Sequence, residues 1–304
     1  MIALSAAVAA VVGIVAALAF RGGGAPPSVA IQPASRRLPP LPPKDAFVLA
    51  EQDRDVAVAL AARPSGGGTE LTATVVGSSG FGLGGLRVRF GVGGNPSVSA
   101  TACGAGCYRA RTAASGAKQV VVHLAGPGRR ESAVRFELPA AWPPASAAVV
   151  ARAGLVFRRL RTVVAHERLS SGPGRLLVTT FELAAPNKLA YRSSNGAAAV
   201  VIGARRWDRG ADGRWEESDQ QPLPQPRPPW QQVSNAHVLA TGTHAGRPAW
   251  RVTFLDPRIP AWFDAWVDRR THRTLELRMI AAAHFMHERY SGFNQPLRIR
   301  PPRS

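Results

Sequence analysis

The stretch "MIAAAHFMHERYSGFNQP", residues 279–296, holds two of the three methionines and two of the seven histidines in a chain of 304 residues. Such a cluster is either a soft-metal site or the inner face of a β-sheet carrying ligand-capable side chains. Alternation in "TLELRMIAAAHF" puts Leu275, Leu277, Met279, Ala281, Ala283 and Phe285 on one face of a single strand. Glu276, Arg278, Ile280, Ala282, His284 and Met286 take the other. The first set reads as a core stripe, with alanines where another backbone or an acyl chain can approach. His284 and Met286 share a face and suit Cu(I), whose affinity follows ligand softness. His287 joins them only if a bulge turns it. A further ligand would have to come from His272, His237 or His244. On the sheet reading the histidine is hydrogen-bonded and the methionine is packed.

Working outward, "SAAVVARAGLVFRRL" changes the period. Val149, Ala153, Val156, Phe157 and Leu160 form one helical stripe, Arg152, Arg158, Arg159 and Arg161 the opposite one, and Ser146 is the expected N-cap. Long strand candidates follow, among them "RLLVTTFEL", "AAAVVIGARRWDR", "AWRVTFLD" and "AWFDAWVDR". Hairpin signals separate them at 193–196, 209–213, 244–248 and 268–272. The segment "QPLPQPRPPW" interrupts the series as a proline-rich excursion. One helix against a curved antiparallel sheet predicts an α+β unit over 139–304 with an apolar concave face. Trp250, Trp262, Trp266, Met279 and Phe285 are the candidate residues lining that groove. Trp207 and Trp215 read as core anchors or rim.

Residues 47–138 alternate in shorter runs punctuated by Gly, Ser and Asn, which suits a small immunoglobulin-like β-sandwich. Val56, Val58 and Leu60 share one parity, as do Leu71, Ala73 and Val75. "GFGLGG" at 80–85 matches a dinucleotide fingerprint formally, but it precedes a strand rather than a helix and reads as a hairpin loop. "CGAGC" holds the only cysteines, Cys103 and Cys107. A disulfide closing a glycine-rich turn is the favoured reading, over a Cu(I) thiolate pair.

The uncharged apolar run at 1–20 is long enough to span a bilayer. Residues 1–21 are expected to be a transmembrane helix and 22–46 a stiff proline-rich linker. Arg21, Arg36 and Arg37 follow the run, so charge alone would place the body in the cytoplasm. The cysteine pair argues for an extracytoplasmic body on the plasma membrane, and Met1 is expected to lie inside a longer multi-helix chain. Lys and Arg number 38 against 19 acidic residues, a surface drawn to anionic lipid or polyanions. Nucleic acid is not expected as a partner, because no helix-turn-helix, RNP or zinc-finger pattern accompanies the charge. No H-E-x-x-H, nucleophile elbow or P-loop occurs, and "HERL" and "HERY" lack a second histidine, so no enzyme is expected.

"RWDRGADGRWEES", "LDPRIPAWFDAWVDRRTHRTLELRM" and "HFMHERYSGFNQPLRIRPP" resemble the LolA/LppX-like half-barrels of the lipoprotein-sorting superfamily over roughly residues 140–302. The sandwich resembles YtkA-like or CopC-like domains around "CYRA". Together with an apolar helix these units look like the extracytoplasmic C-terminal region of copper-resistance D-type membrane proteins. That resemblance implies a non-enzymatic binding protein accessory to copper transport or resistance. Copper would be its ligand and a multi-helix transporter its partner; His284, Met286 and His287, read from the residue pattern alone, are the candidate ligands. The half-barrel by itself implies the alternative, a carrier or sensor of lipid or lipoprotein acyl chains. The N-terminal copper-binding histidine of the CopC-like family has no counterpart near residue 47.

Overall fold

A computed structural model describes residues 37–113 and 117–302. The expected transmembrane helix and most of the linker lie outside the described residues. Among those described, no helix is long and apolar enough to cross a membrane.

The first unit is built from two antiparallel sheets, ordered β1-β2-β3-β7-β6 and β5-β4-β8-β9. Their strands are β1 Phe47–Asp53, β2 Val56–Ser65, β3 Gly68–Val76, β4 Arg87–Val92, β5 Val98–Ser99, β6 Thr101–Gly104, β7 Cys107–Thr112, β8 Gln119–Gly126 and β9 Arg129–Glu137. Val56, Val58 and Leu60 meet Leu71, Ala73, Val75, Phe90 and Val122 in one core, as their alternation predicts. The intervening Ala57, Ala59 and Ala61 are buried as well, in a second cluster. Cys103 and Cys107 form a disulfide across the β6–β7 turn. Glycine is required beside it: a Cβ at Gly106, where φ is +64°, would sit 2.4 Å from the Val75 carbonyl oxygen.

The second unit is one antiparallel sheet of 11 strands, ordered β15-β14-β13-β12-β11-β10-β20-β19-β18-β17-β16, with helix α1 at Ala147–Arg158. Its strands are β10 Thr162–Gly172, β11 Arg175–Ala184, β12 Lys188–Ser193, β13 Ala198–Ile202, β14 Arg205–Arg209, β15 Trp215–Asp219, β16 Ser234–His244, β17 Arg247–Asp256, β18 Ala261–Asp268, β19 Thr274–Ala281 and β20 His284–Ser291. The helix buries Val150, Ala153, Gly154 and Phe157 against one face of the sheet. Ser146 occupies the N-cap position without the expected side-chain bond.

β15 and β16 are consecutive in sequence yet form the two opposite edges. Residues 220–233 must therefore run from one edge to the other, and they do so past the turns that carry Ala204, Pro186 and Asp256 at one end of the sheet. Flat, the edges would stand roughly 48 Å apart at the usual strand spacing. That is close to the full reach of a segment this long, about 50 Å. The segment instead dips inward to pack Trp230 on Phe254 at 5.3 Å, so the sheet curls into a half-barrel. The excursion is thus a strap. Its hold on each side is polar: Gln225 N–H donates to the Pro186 carbonyl (2.9 Å), and the Gln231 and Gln232 N–H groups donate to Asp256 Oδ2 (2.8 and 3.2 Å).

Two strand expectations need correction. "RTLELRMIAAAHF" is not one strand: the chain reverses at Ala282 and Ala283, and Ala281 pairs with His284. Alanine carries no turn signal, and Ala283 adopts a φ of 49° that sequence pattern does not announce. The reversal changes the parity, so Met279 pairs with Met286 while Phe285 pairs with Ile280 on the other face. "AAAVVIGARRWDR" likewise divides into β13 and β14 about Gly203 and Ala204.

Candidate functional site

The helix-covered face of the half-barrel gathers its apolar side chains into one interior. Val252 and Phe254 of β17, Phe263 and Ala265 of β18, Leu277 and Met279 of β19, and Met286 and Tyr290 of β20 belong to a single cluster. Helix α1 and Trp230 of the strap close it, with Phe157 edge-on to Tyr290 at 5.2 Å. Trp250, Phe181 and Leu183 are partly buried at its margin.

Of the five groove residues expected from sequence, Met279 and Trp250 lie on this face. Trp262 and Phe285 do not. They pack with Ile280 and Leu255 against Ala46, Val48, Ala57, Ala59 and Ala61, and so glue the two units together on the outer face. Trp266 is also on the outer face, stacked on His244 at 4.7 Å. Beside this interface Arg278 pairs with Glu51 at 2.8 Å and Arg251 with Asp264 at 2.6 Å.

The metal candidates do not converge. His284 and Met286 share the inner face of β20, where Met286 is buried in the core and burial holds the His284 imidazole down, to about 4. β20 runs without a register shift, so His287 points to the opposite face. There its Nε2 meets Glu276 Oε1 at 2.9 Å, while His244 Nε2 and Arg289 Nε reach Glu276 Oε2 at 3.2 Å. Burial would raise the Glu276 carboxyl, but the His287 hydrogen bond and the surrounding positive groups outweigh it and hold the pKa below its usual range. Among the described residues no group of three or more His, Cys, Asp or Glu side chains could hold a metal ion.

One polar row crosses the apolar interior. Glu288 of β20 pairs directly with Glu167 of β10, Glu167 with Thr179 of β11, and Thr179 with Ser193 of β12. Thr179 and Ser193 hydroxyls lie 2.8 Å apart, and the Tyr290 hydroxyl donates to Glu288. Glu167 is 6% exposed and its Oε1 is buried without a partner. Burial pushes both carboxyls up, and the neighbouring Glu288 charge raises Glu167 further. Two carboxylates side by side in an apolar wall cannot both ionise cheaply, so near neutrality the pair holds a proton. A protonated carboxyl both donates and accepts hydrogen bonds, which gives the interior one place to receive a polar group.

The pair was visible in outline. "HERL" at 166–169 and "HERY" at 287–290 run antiparallel, so that His166 opposes Arg289 and Arg168 opposes His287 about the central glutamates. Two identical triplets on strands that pair would put both glutamates on one face. Nothing in the sequence announces that β10 and β20, separated by more than a hundred residues, are neighbours.

No protein-family model matches the chain, and no curated protein matches it significantly. Among solved structures it is similar to the Mycobacterium tuberculosis lipoprotein LppX, at 14% identity and a TM-score of 0.41, over 50% of this chain and 97% of that one. LprF from Mycobacterium bovis gives 9% identity and a TM-score of 0.39, over 52% and 96% of the two chains. A LolA superfamily protein from Nitrosomonas europaea gives 11% and 0.24, over 52% and 96%.

Proposed function

We propose that the protein is a non-enzymatic, membrane-anchored, extracytoplasmic binding protein whose half-barrel holds an acyl-chain amphiphile. One observation carries this reading. The 11-stranded sheet holds an apolar interior, yet its edge strands β15 and β16 are joined by a strap and not by a strand ladder. Such an interior can open without breaking sheet hydrogen bonds, which a closed barrel cannot do. The Glu167–Glu288 row makes the expected guest an amphiphile with a hydrogen-bonding head, not a plain hydrocarbon. The Cys103–Cys107 disulfide supports an oxidising compartment for the body. Copper finds less support, because His284 and Met286 offer two donors and His287 belongs to the other face.

The test is native mass spectrometry, with lipid extraction and metal analysis, on full-length protein taken from the envelope fraction. Co-purifying lipid in near-stoichiometric amount supports the proposal. Stoichiometric copper with no lipid overturns it.

A further inference from the structure

The β10–β11, β12–β13 and β14–β15 hairpins all turn at one end of the half-barrel. Between the second and third lies an open cleft of about 940 Å³. Arg192, Arg209, Arg214 and Trp215 line it, and none of its lining residues is acidic. Register fixes which face this is. Ala165 belongs to the interior cluster and pairs with Phe181, Phe181 with Tyr191, Tyr191 with Ala199, and Ala199 with Asp208. Arg192, Ala198 and Arg209 are each one residue removed, so they point outward, and Trp215 pairs with Arg209. The cleft's arginines and Trp215 therefore point outward, and Ser193, the last member of the interior polar row, marks where the cleft reaches the hairpin end.

Two large apolar side chains stand exposed on the same face at the same end. Leu176 is 53% exposed and Val178 40% exposed, on β11, the second strand of the β10–β11 hairpin. Val178 is tied to the β12–β13 hairpin by hydrogen bonds in both directions with Ser194, at 3.1 and 2.8 Å. Arg168 opposes Val178 across the ladder and Arg175 precedes Leu176, both exposed. Within the third hairpin Arg214 meets exposed Asp212 at 3.7 Å. Further from the turn the Arg205–Glu217 and Arg206–Asp208 pairs answer each other and leave Arg192 and Arg209 as the cleft's excess charge.

From this arrangement we infer that the hairpin end docks on an anionic lipid bilayer, the arginines meeting lipid phosphates while Leu176, Val178 and Trp215 enter the interfacial layer. Charge complementarity selects the anionic partner. The apolar side chains select a bilayer over a free anion, because a dissolved phosphate gives them no reason to be exposed, whereas Trp and aliphatic groups gain on entering the interface. The cleft is also far larger than one phosphate requires. The arginines, Leu176, Val178 and Trp215 point away from the interior, so the inference does not rest on what the interior holds.

The test is hydrogen exchange read by mass spectrometry on full-length protein reconstituted in vesicles of phosphatidylcholine alone or mixed with phosphatidylglycerol. The expected result is slowed exchange in residues 174–178, 192–198 and 209–215 in the anionic vesicles only, fading as salt is raised. Arg192→Ser and Arg214→Ser, both solvent-facing, should each reduce that protection roughly fivefold, the worth of one basic residue at such a surface. Leu176→Ser should reduce it without changing the salt dependence. Equal protection in the neutral vesicles, or none in either, overturns the inference. So does protection that appears with duplex nucleic acid and not with anionic vesicles.

Discussion

Glu167 is the residue where sequence and structure diverge most. Its setting in "HERL" reads only as a His-Glu pair without a second histidine, yet the strand puts it at 6% exposure opposite another glutamate. Burial raises Glu167 to about 8 and Glu288 to about 7, against an ordinary 4.5. A carboxyl whose folded pKa is raised contributes its full stability below the unfolded pKa and loses it as pH rises through the folded one. The folded protein should therefore be more stable at pH 5 than at pH 8. Glu167→Gln removes one titrating group while keeping the shape. It should raise the melting temperature at pH 8, by about 1–4 kcal/mol of stability if it follows other replacements of buried charge, and change it little at pH 5. A variant whose gain is the same at both pH values would show that the pair does not titrate in this window. Met279 belongs to the same face, and there the alternation in "TLELRM" was a sound guide. Met279→Ala should cost about 2–5 kcal/mol by chemical denaturation, as a large-to-small core change does.

At the scale of elements, local pattern located the helix, most strands and the disulfide turn, because apolar periodicity and glycine placement act within a few residues. It failed where an element boundary depends on tertiary contact. The reversal at Ala282 and Ala283 has no Gly, Pro or Asn to mark it. It is held by the Met279–Met286 and Ile280–Phe285 pairs and by Ala282, which packs at the interface between the two units. That one missed turn exchanged the faces of Phe285 and the residues before it, and so misplaced Phe285 in the groove. The strap shows the same limit: prolines announced an irregular segment but not where it goes. Asp256 anchors it, being 1% exposed and accepting hydrogen bonds from the Gln231, Gln232 and Arg258 N–H groups. Asp256→Ala should destabilise the protein by about 1–3 kcal/mol, the cost of leaving a buried donor unmet. Hydrogen exchange in residues 228–233 should accelerate ahead of exchange in β10 and β20. If β10 exchanges as fast, the strap is part of the global fold and is no gate.

The whole molecule is two β units joined along the outer face of the half-barrel, leaving the inner face free for its own core. Alanines at 57, 59 and 61 let the sandwich strand lie close to Trp262 and Phe285, and Asn235 Nδ2 donates to the Pro43 and Ala46 carbonyl oxygens at 2.6 and 2.8 Å. Residues expected to bind a ligand thus turned out to bind the other unit, which no reading of one segment at a time could reveal. The division of labour follows: the outer face holds the sandwich and the cationic hairpin end, and the inner face holds the apolar interior with its single polar row. The central claim is that this interior receives an acyl chain. It is tested most directly by irradiating the full-length protein with a diazirine-bearing fatty acid and mapping the adducts by peptide mass spectrometry. The account predicts labels on inner-face residues of β19 and β20, around Met279 and Met286, suppressed by the bulky substitution Met279→Trp. Adducts confined to exposed Leu155, Leu176 and Val178, and unchanged by that substitution, would contradict it.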